Sequence, residues 1–177
     1  EADKGIFDLL AAFSTLATQH PDITLTFAGT GTAAPALQEA IAAAPHAGRI
    51  RFAGQLPADG VLAALQAADL LICPTRSSFN EGLALVCYEA VEQGCIPIST
   101  DVGSQAEIVP PDLLVPLEPQ ACVKGIVAAV DRLWRDAAFL SRQREALVRS
   151  WTDLTRDPTA EEILMPLYQQ AAAGLQE

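Results

Sequence analysis

Two glutamates, Glu81 and Glu89, stand eight positions apart in the segment NEGLALVCYEA, residues 80–90. The small residues Gly82 and Ala84 follow the first, and an apolar run leads to the second. The pattern predicts a helix over 83–93, with Glu81 in the loop that enters it and Glu89 well inside it. Eight helical residues rise roughly 12 Å and turn about 80° past two full turns, so both carboxylates can face one cleft. Between them lies the helix start, where unpaired backbone N–H groups and the helix dipole favour an anion. A carboxylate only accepts hydrogen bonds, so each glutamate suits a pair of hydroxyl donors. Gly82 and Ala84 would let a phosphate come close to the backbone. Carboxylate, anion hole, carboxylate is the layout that a nucleotide-sugar needs: sugar hydroxyls, diphosphate, ribose hydroxyls. The same spacing also fits a purely structural pair, one acid stabilising the helix N-terminus and one on a solvated face.

The elements that must position these groups alternate. Ile6, Leu9, Leu10, Phe13 and Leu16 recur at helical spacing over 5–18, with Asp3 placed to cap that helix. The segment 23–29, ITLTFAG, alternates and is β-branched, so it reads as a strand. A Gly29-Thr30-Gly31 turn and an Ala-rich helix over 34–44 follow. Further strands are expected over 49–54, 69–74, 95–100 and 112–117. Further helices are expected over 59–68, 83–93, 119–135, 137–149 and 159–174, with a hinge-like stretch from Trp151 to Pro158. The run DLLICP shows no alternation, as a strand covered on both faces would. This order predicts one α/β domain, a doubly wound, Rossmann-like parallel sheet. Ligands of such sheets bind beyond the carboxyl ends of the strands, so the loops 29–32, 54–58, 74–82 and 100–104 should share one rim.

Composition narrows the partners. The 177 residues carry a formal net charge of −11, with 22 acidic against 11 basic side chains. Such a surface repels phosphate backbones and anionic membranes, so nucleic acid is not expected as a partner. No membrane-spanning run or signal peptide is visible. Half of the residues are hydrophobic, which supports a packed core. Cys73, Cys87, Cys95 and Cys122 form no C-x-x-C pair and sit in apolar surroundings. They read as free buried thiols in a reducing compartment, and the chain as cytoplasmic. His20 and His46 stand beside prolines in expected loops and read as neither ligands nor bases.

Residues 74–109, PTRSSFNEGLALVCYEAVEQGCIPISTDVGSQAEIV, resemble the donor-site signature of the retaining glycosyltransferases with the two-domain GT-B fold, glycosyltransferase family 4, group 1. The matching positions are Pro74-Thr75, Glu81-Gly82, Glu89-Ala90, Gly94-Cys95-Ile96-Pro97, Gly103 and Glu107. Lys4-Gly5, the FAGTG segment 27–31, RFAGQ at 51–55, LLVPLEPQA at 113–121 and Ser150-Trp151 extend the similarity over nearly the whole chain. The resemblance implies that residues 1–177 form one nucleotide-sugar-binding domain, the C-terminal half of such an enzyme. The acceptor-binding N-terminal domain and the Arg that the family pairs with its Lys would precede Glu1. It implies a catalytic pair: Lys4 holds the phosphates and stabilises the leaving nucleoside diphosphate, and Glu81 binds sugar hydroxyls. It also implies that the backbone amides of Leu83, Ala84 and Leu85 take the diphosphate and that Glu89 takes the ribose. Gly29 and Gly31 would approach the nucleotide, and Phe52 would begin the wall that holds the base.

The implied reaction transfers a glycosyl group to an acceptor hydroxyl with retained configuration and no metal or cofactor, and the sequence contains no Asp-x-Asp. Charge growing on the leaving diphosphate would be met by a cation and a helix start. Leu83-Ala84 stands where the family has Phe-Gly, and Gly103-Ser104 where it has Gly-Gly. These departures keep a non-catalytic nucleotide-sugar-binding or partner-binding module as an alternative. A nicotinamide-binding domain is a further one, because Gly29-Thr30-Gly31-Thr32-Ala33-Ala34 matches G-x-G-x-x-A. The acid that motif requires is absent from the next strand, which ends in Gly54-Gln55. A nucleotide-sugar epimerase of related architecture is a minor alternative. A glycosidase pair needs carboxylates about 5 Å apart, closer than this spacing allows.

Overall fold

A computed structural model describes residues 2–78 and 84–156. Five short parallel strands alternate with helices: α1 (Ile6–Gln19), β1 (Leu25–Ala28), α2 (Ala34–Ala43), β2 (Ile50–Gly54), α3 (Ala58–Gln66), β3 (Leu70–Cys73), α4 (Leu85–Glu92), β4 (Ile96–Thr100), α5 (Gln105–Ile108), β5 (Leu114–Val115), α6 (Pro119–Arg135) and α7 (Ala137–Arg156). The strands form two ladders, β1-β2 and β3-β4-β5. Leu25 stands beside Ile50 and Phe27 beside Phe52 in the first; Leu70 stands beside Ile96 and Ile72 beside Ile98 in the second.

Burial follows the apolar pattern. Every residue of β4 is buried, as expected for the middle strand of a covered ladder. The main core gathers Ile98, Ile108, Leu113, Ile126 and Phe139; a second gathers Leu9, Leu10, Phe27, Leu37 and Ile41. Helix α1 contributes to both, Ala12 and Leu16 to the first, Leu9 and Leu10 to the second, and Ile72 of β3 touches both. That shared packing joins the two ladders. Strand β3 lies at their border and is therefore only half-buried, not covered on both faces.

Several expectations are corrected. Strand β5 has two residues rather than six. Pro111–Leu113 forms a 3-10 turn, and Pro116, with no N–H to donate, ends the ladder. Asp3 does not cap α1; Gly5 is the N-cap, without a side-chain bond, and the Asp3 carboxylate accepts from the Ser78 hydroxyl at 2.8 Å. The stretch from Trp151 is no hinge up to Arg156: α7 runs on through it, because Trp151 and Leu154 pack against the main core. The helix expected over 159–174 lies outside the described residues. Two helices do carry side-chain caps: Glu118 accepts from the Ala121 amide at 2.9 Å at the start of α6, and Asp136 from that of Phe139 at 2.8 Å at the start of α7.

His20 follows α1 as its C-cap, outside the helix as expected. It is buried at the end of α1, with Nε2 3.1 Å from Asp131 Oδ1 on α6 and its ring tilted against Trp134. Arg49 closes the same end by donating to the carbonyls of Ala17, His20 and Pro21. Those carbonyls have no partner within the helix, and a cation at a helix C-terminus also opposes its dipole. Arg49→Ala is expected to cost about 1–3 kcal/mol, read as a lowered midpoint in urea with an unchanged slope.

Candidate functional site

The carboxyl ends of the strands can be followed from one to the next. Gly29, after β1, donates its amide to the carbonyl of Gly54 at the end of β2 at 2.7 Å. Gly5 touches the carbonyl of Pro74, just after β3: a Cβ at Gly5 would lie 2.0 Å from that oxygen. Thr100, at the end of β4, donates its hydroxyl to the carbonyl of Thr75, and Val115 of β5 lies beside Thr100. All five ends thus meet one rim, as the loop arrangement predicts for a ligand site.

Lys4, Gly29, Gly31 and Phe52 line a single cleft of about 120 Å³ on that rim, together with Thr30 and Phe27. Three separate segments converge there. Lys4 is brought in by the turn before α1, the glycines by the turn after β1, and Phe52 by its place opposite Phe27 in the ladder. Gly29 has φ +121° and Gly31 φ +154°, conformations that side-chain-bearing residues rarely adopt. A Cβ at Gly29 would meet nothing within 4 Å, so backbone stands open to an approaching group. The cleft is large enough for a ring-sized part of a ligand, with the rest left to the rim.

Helix α4 starts at Leu85, two residues later than the pattern suggests, with buried Ala84 as its N-cap. Glu81 and Leu83 lie outside the described residues. Leu85 and Glu89 are one turn apart and so share a face. Leu85 is 59% exposed and Glu89 half-buried, so that face opens to solvent at the helix start. Glu107, on α5, accepts from the hydroxyl of Tyr88 at 3.1 Å. Burial pushes the Tyr88 hydroxyl above its ordinary pKa, so it stays a donor at neutral pH.

The sequence reading missed the groups that fasten this rim. The Asp8 carboxylate accepts a two-pronged bond from Arg76, with Nε and one terminal nitrogen each at 2.9 Å. Asp3 accepts from the Arg76 amide through its carbonyl and from Ser78 through its carboxylate, both at 2.8 Å. Asp8 is largely buried, and Arg76, partly exposed, is its ion-pair partner. An acid at helical position three looks like ordinary first-turn chemistry, and only the fold shows which base meets it.

Two features stand apart from the rim. A groove of about 300 Å³ runs between α1 and α6, lined by Thr15, Gln19, Val127 and Asp131. It holds none of the rim residues, and Gln19 lies about 20 Å along α1 from its rim end. The four cysteines are free thiols, and burial pushes Cys95 and Cys122 up to about 11, so they remain protonated at neutral pH. Among the described residues, no cluster of His, Cys, Asp or Glu is arranged to hold a metal, and no helix is long and apolar enough to cross a membrane.

Comparison with known proteins decides the family. The model for glycosyl transferases group 1 matches residues 1–147. The chain belongs to the group 1 glycosyltransferases. It is 32% identical over 147 residues to a glycogen synthase of Mycobacterium tuberculosis (strain ATCC 25618 / H37Rv), covering 82% of this chain and 34% of that protein. It is 27% identical over 146 residues to the putative glycosyltransferase YtcC of Bacillus subtilis (strain 168), covering 78% of this chain and 35% of that one. The chain therefore spans about a third of the length of these relatives. Among solved structures, the fold matches the pneumococcal O-GlcNAc transferase GtfA in complex with UDP and GlcNAc, with a TM-score of 0.75, 19% identity, and coverage of 100% of this chain and 34% of that one. It also matches sucrose-phosphate synthase from Thermosynechococcus elongatus, with a TM-score of 0.73, 23% identity, and coverage of 98% and 44%. The α/β fold with parallel strands is thus that of GT-B glycosyltransferases. In this group 1 domain the rim of parallel strand ends and the Lys4 cleft occupy one place.

Proposed function

We propose that this domain binds a nucleoside diphosphate sugar and serves as the donor half of a retaining glycosyltransferase, with the acceptor held by an N-terminal domain of the same protein. The observation that carries the reading is the convergence of Lys4, Gly29, Gly31 and Phe52 on one cleft at the strand ends. In this reading Phe52 flanks the base and the open backbone at Gly29 and Gly31 receives the nucleotide. The amides of Leu83, Ala84 and Leu85 take the diphosphate, and Glu89 accepts from the ribose hydroxyls. Lys4 and the helix start stabilise the charge that grows on the leaving diphosphate as the glycosyl bond breaks. Glu81 accepts from hydroxyls of the transferred sugar. No metal or cofactor is part of the scheme. Four free thiols suit a reducing, cytoplasmic setting.

Titration calorimetry of the chain with UDP, ADP and NAD tests the reading. One of the two diphosphates should bind and NAD should not; NAD binding alone would overturn the proposal. Glu89→Gln removes one charge-assisted acceptor and is expected to weaken the diphosphate by about 1–3 kcal/mol. Unchanged affinity would exclude the ribose role. Glu81→Ala is expected to leave the free diphosphate untouched and to weaken the corresponding nucleotide-sugar. Equal loss for both ligands would make Glu81 structural.

A further inference from the structure

Lys4 sits in a three-residue 3-10 turn, Ala2–Lys4, joined to α1 by the uncapped Gly5. So short a turn makes few bonds of its own; the Gly5 amide closes it on the Ala2 carbonyl at 3.0 Å. Yet Asp3 and Asp8, one on each side of Lys4, both grip the same short segment, Arg76–Ser78. The two grips are unlike. Asp3 holds the segment through a backbone bond and a hydroxyl. Asp8 holds it through the planar fork of Arg76, the geometry that fixes orientation as well as distance. A carboxylate as buried as Asp8 must be paired, so the fork cannot be exchanged for water.

We propose that Asp8 and Arg76 are positioning residues: their ion pair locks the Lys4 turn to the segment that follows β3, so that the cation is set at the strand ends before a donor arrives. Neither touches the donor; each acts through Lys4. The proposal rests on the donor-binding reading above and deepens it. Its functional content is preorganisation, because a lysine on a loose turn would have to be ordered at the moment of binding.

A double-mutant cycle on the 177-residue chain tests it, with Arg76→Met and Lys4→Gln, reading UDP and ADP affinity by calorimetry at a temperature where circular dichroism shows each variant folded. Arg76→Met should lower the affinity about tenfold in the native background, the scale of one charge-assisted bond. In the Lys4→Gln background it should change affinity by less than about twofold, because the group it positions is gone. Equal losses in both backgrounds would make the pair merely structural and overturn the proposal while leaving donor binding intact. Arg76→Lys keeps a charge opposite Asp8, protects folding if Arg76→Met fails to fold, and should show the same dependence on Lys4 with a smaller loss. A native chain that binds neither UDP nor ADP would instead overturn the donor reading itself, and the proposal with it.

Discussion

Gly5→Ala is expected to destabilise this domain severely through a single added methyl. The new Cβ would lie 2.0 Å from the Pro74 carbonyl oxygen and 2.9 Å from its carbon, both backbone atoms with no rotamer to escape through. Gly5 also has φ +66°, which alone costs a residue with a side chain about 1–2 kcal/mol. Relieving the contact means moving α1 away from the end of β3, and α1 supplies Leu9, Leu10, Ala12 and Leu16 to the two cores. The combined loss should be about 3 kcal/mol or more, a fall of about 10 °C in Tm by calorimetric scanning. Gly48→Ala, where a Cβ meets nothing within 4 Å, is the control and should stay within about 0.5 kcal/mol of the native chain. If the two variants melted together, the close approach of α1 to β3 would be wrong, and with it the placement of Lys4.

The second large effect concerns binding. Lys4→Gln keeps most of the side chain's length and removes its charge. Under the donor-binding proposal it should weaken nucleoside diphosphate binding by about 1.5–3 kcal/mol, the range for hydrogen bonds to charged groups, which is about 10- to 150-fold. The residual affinity should lose most of its dependence on salt, because the cation closest to the phosphates is gone. Stability should change little, since Lys4 is part of neither core. Calorimetry at two ionic strengths separates these results. Undiminished affinity would remove Lys4 from the phosphate site and shift the anion role wholly to the α4 helix start.

The two predictions meet at one dipeptide, and that is informative about how the site is built. Lys4 supplies charge, and Gly5 supplies the absence of a side chain that lets the charge stand at the strand ends. An acidic chain of net charge −11 offers an anion little long-range attraction. Whatever affinity it has for a diphosphate must come from groups held close, which is why the fastening by Asp3, Asp8, Arg76 and Ser78 matters more here than it would on a basic surface.

Most of the element order was legible in the sequence because it depends on local patterns. Helical spacing over Ile6, Leu9, Leu10, Phe13 and Leu16, alternation through ITLTFAG and the unbroken apolar runs near Leu71 and Ile98 each mark an element, and the run at Ile98 also reports that its strand is covered on both faces. Lys4-Gly5, Gly29 and Gly31 stood out in the sequence only through the family resemblance; that Gly5, Gly29 and Gly31 hold positive φ is a fact of the folded backbone. Only the tertiary structure decided the rest. That His20 is buried against Asp131 and Trp134, that Asp8 meets Arg76 from 68 positions away, and that α7 continues through Trp151 all depend on partners distant in the chain. The division of the strands into two ladders joined by α1 and β3 is of the same kind. A side chain's type limits what it can bond, but its partner is set by which surfaces the packed core brings within about 3 Å, and no local pattern carries that information.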